Sequence, residues 1–234
     1  KNVVINSTGT KTLTGAASIG AGNSLTFTAG TLDLNSQDVT LKSSSSGTAS
    51  VGAIPGNGAN LLNATNVIVE RYIPARRAWR GISVPLSSAT AGNSIFNNWQ
   101  NNGVVIGGEG VLLWNSTGTG GYSQNTSSGS NTNLRSYTGG TGYAIPATTT
   151  GANLISGGKP VPYLVFVTDY YKTGTNTGNM ASGATATRLK AKGTLYTGDY
   201  QTGTLVSGYH MIANPYPSPI TLTSGILSTV NDKF

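Results

Sequence analysis

Seven carboxylates and one histidine are the carboxyl and imidazole groups available for acid–base chemistry in this chain of 234 residues. The acids are Asp33, Asp38, Glu70, Glu109, Asp169, Asp199 and Asp232. Glycoside hydrolysis needs two carboxyl groups about 5–10 Å apart. The best such pair is Glu109, set between glycines in GGEGV where a backbone can approach a ligand, with Asp169, which ends a strongly apolar run. A Ser–His–Asp site would have to use His210 in GYHMIAN, and no GxSxG elbow accompanies it. That histidine alternates with its neighbours as a strand residue does, and a structural role is expected. The chain has no cysteine, so disulfides, thiolate nucleophiles and Cys-based zinc sites are excluded. No DxDxDG calcium loop occurs, and GGEG and TGGTG lack the lysine and the strand–loop–helix setting of a phosphate loop. The expectation is a protein that is not an enzyme and carries no cofactor, with a loop calcium held by carbonyls and one or two Asp left open.

Binding chemistry is the richer possibility. Only 9% of residues are charged, yet RYIPARRAWR places Arg71, Arg76, Arg77 and Arg80 within ten positions. Strand alternation puts Val67, Val69, Arg71 and Ile73 on one face, and Arg80, Ile82, Val84 and Leu86 on one face of the segment that follows. A guanidinium in line with core positions must be paired, stacked on a ring or held at the core's edge. This predicts a structural cluster of Glu70, Arg71, Tyr72, Trp79, Arg80 and Trp99, with Arg76 and Arg77 in solvent; a ligand or glycan contact is the alternative. The net charge of +7 is spread thinly, and nucleic acid would require basic and aromatic residues interleaved over a wider surface. No nucleic-acid partner is expected. The second binding candidate is a set of tyrosines in polar segments: Tyr122, Tyr137, Tyr143, Tyr170 and Tyr171. Aromatic rings among Asn and Ser suit sugar rings, although such rings also serve simply to anchor loops.

The elements that must position these residues read as strands throughout. Glycine, at 33 residues, has about twice its average usage. Hydroxyl and amide groups replace charge on the surface, a style common in extracellular β proteins. In SLTFTAGTLDLNSQDVTL the pairs Leu25/Phe27, Leu32/Leu34 and Val39/Leu41 recur every seven residues, each with one polar residue between. That spacing gives very short strands joined by tight turns: a solenoid-like stack, a meander or an irregular hairpin. SSSSGTAS and IPGNGAN interrupt the pattern, and a boundary is placed near residue 62. Beyond it, NVIVERYI is a strand, PARRA a connection and WRGISVPL the return strand. NSIFNNWQ is a short turn or a single helical turn, VVIGGEGVLLWN a strand or hairpin, and VPYLVFVTDYY a central strand apolar on both faces. RLKAKGTLYTG and GYHMIANPYP complete the set. The predicted fold is all-β: a short β-repeat segment over 1–61, then an antiparallel, jelly-roll-like β-sandwich over 62–234. No stretch approaches the roughly 18 apolar residues of a membrane span.

Taken in order and spacing, VERYIPARRAWRGISVPL, SIFNNWQNNG, RLKAKGTLYTG and GYHMIANPYPSPI resemble a module of large secreted surface proteins of Bacteroidetes, substrates of the type IX secretion system. The likeness covers about residues 25–220. It departs where relatives carry an RGDR-like stretch after the central strand and this chain has VTDYYKTG. The resemblance implies an extracellular or outer-surface location and structural or adhesive work, in a filament or at the cell surface, without known catalytic residues. The alternatives are a carbohydrate-binding module using the loop tyrosines, or a fragment of a glycan-cleaving enzyme. Expected partners are other domains of a longer chain, copies of itself, surface glycans, and a secretion machinery engaged through regions outside this chain. A first residue of Lys1, and the absence of the family's C-terminal sorting domain, lead us to expect a piece of a longer, processed polypeptide.

Overall fold

The computed structural model describes residues 1–126, 132–138, 142–173, 175–176, 185–202, 205 and 207–221. The fold is all-β, with several sheets and, among the described residues, no closed barrel. Its first part coils. Val3–Thr12 runs parallel to Ser24–Asp33, which runs parallel to Ser50–Val51 and to Leu61–Leu62. On another side, Ala17–Ile19 runs parallel to Val39–Leu41, and that strand runs parallel to Val67–Ile73. The first coil advances 22 residues, from Val3 to Leu25 and from Ala17 to Val39, and the second advances 26 to 29.

The seven-residue recurrence in the sequence therefore marks the three sides of one coil. Each side contributes one i, i+2 pair, and five of those six side chains (Leu25, Leu32, Leu34, Val39 and Leu41) are buried. A single coil cannot cover its own apolar interior; stacking on the next one does so. Corners repeat as well. Asn35 and Asn63 both adopt positive φ, near 50°, at the same corner of successive coils. There the Asn63 side chain donates to Asp33 Oδ1 at 2.8 Å. Gly30 makes the bend inside Ser24–Asp33: its φ is 84°, and a Cβ there would lie 1.9 Å from the Ser7 carbonyl oxygen.

Val67–Ile73 joins the coil to the rest of the chain. Val39–Leu41 pairs with it in parallel on one edge, and Thr187–Leu195 in antiparallel fashion on the other. One sheet thus runs in the order Leu86–Ala89, Thr187–Leu195, Val67–Ile73, Val39–Leu41, Ala17–Ile19. The expected boundary near residue 62 falls at a coil corner just before this strand. A second, wholly antiparallel sheet has the order Ala78–Ile82, Tyr163–Val167, Leu134–Thr138, Gly142–Ala144.

The two sheets share one hydrophobic core, which contains Val67, Val69, Leu189 and Ala191 from the first and Ile82, Tyr163, Val165 and Leu134 from the second. Each fully buried Leu or Val contributes about 1.5–3 kcal/mol. The single turn Ile95–Asn98, capped by the Ser94 hydroxyl accepting from the Asn97 amide, brings Trp99 into this core. The Trp99 ring stands edge-on to Tyr163 at 6.1 Å.

Three expectations need correction. WRGISVPL is not the return strand of a hairpin. After Ile73 the chain crosses at Pro74 to the second sheet for Ala78–Ile82, then returns to the first sheet at Leu86–Ala89. VVIGGEGVLLWN is strand only at Trp114–Asn115. Gly108 and Gly110 take positive φ, and the loop backbone bonds to Arg188 instead of forming a ladder of its own. GYHMIANPYP is irregular, and Pro215 and Pro217 remove two ladder donors at its end.

Two glycines test this account. Gly30→Ala combines a left-handed backbone with a carbonyl clash and is expected to cost about 2–4 kcal/mol. Gly81, in mid-strand, has open space where a Cβ would sit, so Gly81→Ala is expected to be neutral or stabilising by up to about 1 kcal/mol. Thermal unfolding of the two variants checks the contrast.

Candidate functional site

Cross-strand neighbours in the second sheet lie on the same face, so the register defines what each face carries. Val165, Leu134, Tyr163 and Ile82 point into the core. Their alternates point outward. Trp79 is paired with Phe166, Gly81 and Arg135 both flank Leu164, and Tyr137 is paired with Tyr143. The rings contact one another in pairs, Trp79 and Phe166 at 5.4 Å and Tyr137 and Tyr143 edge-to-face at 5.1 Å. Guanidiniums extend the row: Arg135 lies over Trp79 at 5.5 Å, and Arg77 over Phe166 at 5.3 Å. Arg135 is held in place by Nη1 donating to the Thr132 carbonyl and hydroxyl. Trp79 remains 45% exposed and Tyr143 61% exposed. Ideal strand spacing and rise place the two ends of this row roughly 20 Å apart. Gly81 leaves the surface open at the edge strand beside Leu164.

The first sheet's outer face is ionic instead. Arg188 and Lys190, alternating along their strand, both reach Glu109 Oε1, at 2.6 and 2.7 Å. Arg188 also approaches Glu70, whose other oxygen accepts the Ser43 amide at 3.1 Å. Lys192 pairs with Asp38 at 2.7 Å. Burial by itself would raise the Glu109 pKa, but hydrogen bonds from Lys190 and Arg188 outweigh it and hold the carboxyl below its ordinary value. Asp169 is bound to Lys172 Nζ. The two acids considered for hydrolysis are thus each engaged by cations.

The predicted structural cluster does not hold together. Its members divide between the sheets because Val67–Ile73 and Ala78–Ile82 are not hairpin partners. Glu70 belongs to the ionic face, and Tyr72, also on that face, is half-buried with its amide donating to the Ser43 hydroxyl. Trp79 belongs to the aromatic row, and Trp99 to the core. Arg80 is half-buried, with Nη2 donating to the Arg76 carbonyl at 3.2 Å. Arg71 is exposed and lines a cleft of about 510 Å³.

The five tyrosines divide too. Tyr122 is buried and donates to the Pro146 carbonyl at 2.8 Å, and Tyr171 is buried beside the Glu109 loop. Tyr170 lies half-buried under Lys172 Nζ. Only Tyr137 and Tyr143 come together on an open surface. Trp79 joins them from the arginine stretch; Phe166, Leu164 and Arg135 were not anticipated. The alternation of Leu164 and Phe166 against Val165 was the available signal, since it makes a second apolar face that needs either a cover or a ligand.

Comparison with known proteins gives no match: no family model, no curated protein and no solved structure is similar to this chain. Among the described residues, no three His, Asp or Glu side chains gather as a metal would require, and no helix is long and apolar enough to cross a membrane.

Burial pushes the Tyr122 phenol well above its ordinary value and the Tyr163 phenol up to about 12. A phenol whose folded pKa exceeds its unfolded value contributes stability fully below about pH 10, and that contribution is lost as pH rises toward the folded value. Ionisation of both tyrosines, followed at 295 nm, is therefore expected to coincide with loss of structure above roughly pH 10. Tyr122→Phe should move the alkaline midpoint upward, while losing about 1 kcal/mol at neutral pH with the hydrogen bond to Pro146.

Proposed function

We propose that this chain is a non-catalytic adhesive module of a secreted bacterial cell-surface or filament protein, and that it attaches through the aromatic row of the second sheet. The observation that carries the reading is the ordered exposure of Trp79, Phe166, Tyr137 and Tyr143 on one face, flanked by Arg77 and Arg135. Rings held by cross-strand pairing form a preorganised platform, and a platform of this kind binds extended targets without enclosing them. Sugar rings offer a C–H face for such stacking and hydroxyls for the polar rim, so surface glycan is the target chemistry that fits best. The poor supply of unengaged carboxylates supports the non-catalytic part: Glu70, Glu109, Asp38 and Asp169 are all engaged by cations.

The test is retention on a panel of insoluble bacterial and plant polysaccharides. Trp79→Ala and Tyr143→Ala are each expected to weaken binding by about 1–2 kcal/mol, roughly five- to thirty-fold. Tyr122→Phe, which alters a buried ring, should leave retention unchanged. Retention indifferent to both exposed rings, or release of reducing sugar that Glu109→Gln abolishes, would defeat the reading.

A further inference from the structure

The second feature that points to a ligand is the cleft at the free edge of the second sheet. Ala78–Ile82 is an edge strand: one side pairs with Tyr163–Val167, and among the described residues no strand pairs with the other. Residues 81–85 form one wall of the cleft. Its floor is the inner face of the first sheet, lined by Val69, Leu189 and Ala191, which are themselves closely packed. The opposite wall is the proline turn. Asn214 braces that turn, its Nδ2 donating to the Ser218 carbonyl and its Oδ1 accepting the Tyr216 amide. The turn is fastened on both sides, by Ser83 Oγ donating to the Asn214 carbonyl and by the Val51 amide donating to the Pro217 carbonyl. The cleft is therefore a built concavity between fixed walls.

Arg71 enters this cleft from the floor. Among the described residues its guanidinium has no ion pair, hydrogen bond or stacked ring, whereas Arg77, Arg80, Arg135 and Arg188 each have at least one such contact and Arg76 lies in the exposed connection. Glu70, its neighbour, also lines the cleft, but its carboxylate is engaged by Arg188 and the Ser43 amide. A strand edge with unpaired amides and carbonyls, an apolar floor and one uncompensated cation define a complementary ligand. We infer that the cleft takes an extended peptide carrying a carboxylate: the peptide adds to the edge of Ala78–Ile82 by main-chain hydrogen bonds, its alternate apolar side chains face Val69 and Leu189, and its carboxylate meets Arg71. This site is separate from the aromatic row, which lies on the outer face of the same sheet, so either can fail without the other.

The experiment uses the whole chain, isotope-labelled for NMR. It is titrated with a pool of synthetic octapeptides in which Thr alternates with Val, Ile or Leu, prepared either with a free C-terminal carboxylate or as the amide. The free-acid pool should shift the amide signals of Gly81, Ile82 and Ser83, and the amidated pool should bind about tenfold or more weakly, as loss of a charge-assisted contact implies. Arg71→Gln, an exposed substitution, should remove the preference between pools; Arg71→Lys should restore part of it, and Lys11→Gln, on the first coil, should keep it whole. Equal binding of the two pools, shifts confined to Trp79 and Tyr143, no shifts at all, or a cleft already occupied by residues 222–234 of the same chain would each overturn the inference.

Discussion

The rest of the structure depends on two different ladders meeting along Val67–Ile73. The strand accepts Val39–Leu41 in parallel register and Thr187–Leu195 in antiparallel register, so its backbone is paired on both edges. Its side chains Val67, Val69 and Ile73 are buried on the inner face. A parallel coil stack has an inherent weakness: its last coil exposes a row of amides and carbonyls and an apolar interior. Here the last coil is closed by the antiparallel strand of the next unit, and the apolar interior continues into the core between the sheets. The coils and the sheets consequently stabilise each other, and neither has a complete core alone.

That junction also dictates how the chemistry is distributed. Once Val67–Ile73 is flanked on both sides, the chain leaving Ile73 has no place beside it and must cross to the other sheet. The crossing at Pro74 carries Trp79 away from Glu70 and Tyr72 and sets it opposite Phe166. Charged residues on the outer face of the first sheet then find partners among themselves, in the Glu109 loop and at Asp38, and that face stays hydrated. The second sheet, with no carboxylate along its four strands, keeps its rings and guanidiniums on the surface. Stacked guanidiniums retain their charge while covering part of each ring, which lets an aromatic face stay in water without closing on itself.

Much of this was legible in the chain. The seven-residue recurrence of Leu25/Phe27, Leu32/Leu34 and Val39/Leu41 marked short strands, because i, i+2 pairs can only share a face in extended backbone. It did not distinguish stacking from meandering, since both bury the same pairs; the choice depends on contacts 22 residues apart. Pro74 was readable as the end of a ladder but not as a crossing between layers. Tyr122 and Tyr171 looked exposed because their neighbours are Gly, Ser, Asn and Lys, yet a polar loop needs buried rings to hold it, and these two serve that purpose. Leu164 and Phe166 suggested a strand covered on both faces; only the register with Trp79 and Arg135 reveals that one of those faces is open.

The arginine stretch, finally, is three kinds of site in one run of sequence, and geometry separates them. Arg77 lies over Phe166, Arg80 is tied to the Arg76 carbonyl, and Arg71 lines a cleft with no partner of its own among the described residues. A guanidinium that is stacked or bonded to the backbone has its field compensated and its rotamer limited, so it contributes to shape. One left without compensation on a concave, partly apolar surface is favourable only if water or a ligand satisfies it. The same strand alternation that aligned Arg71 with Val67 and Val69 as a core position therefore makes it the strand arginine of the run least explained by packing. Its place beside an unpaired strand edge is where a charged terminus of another chain would be best received.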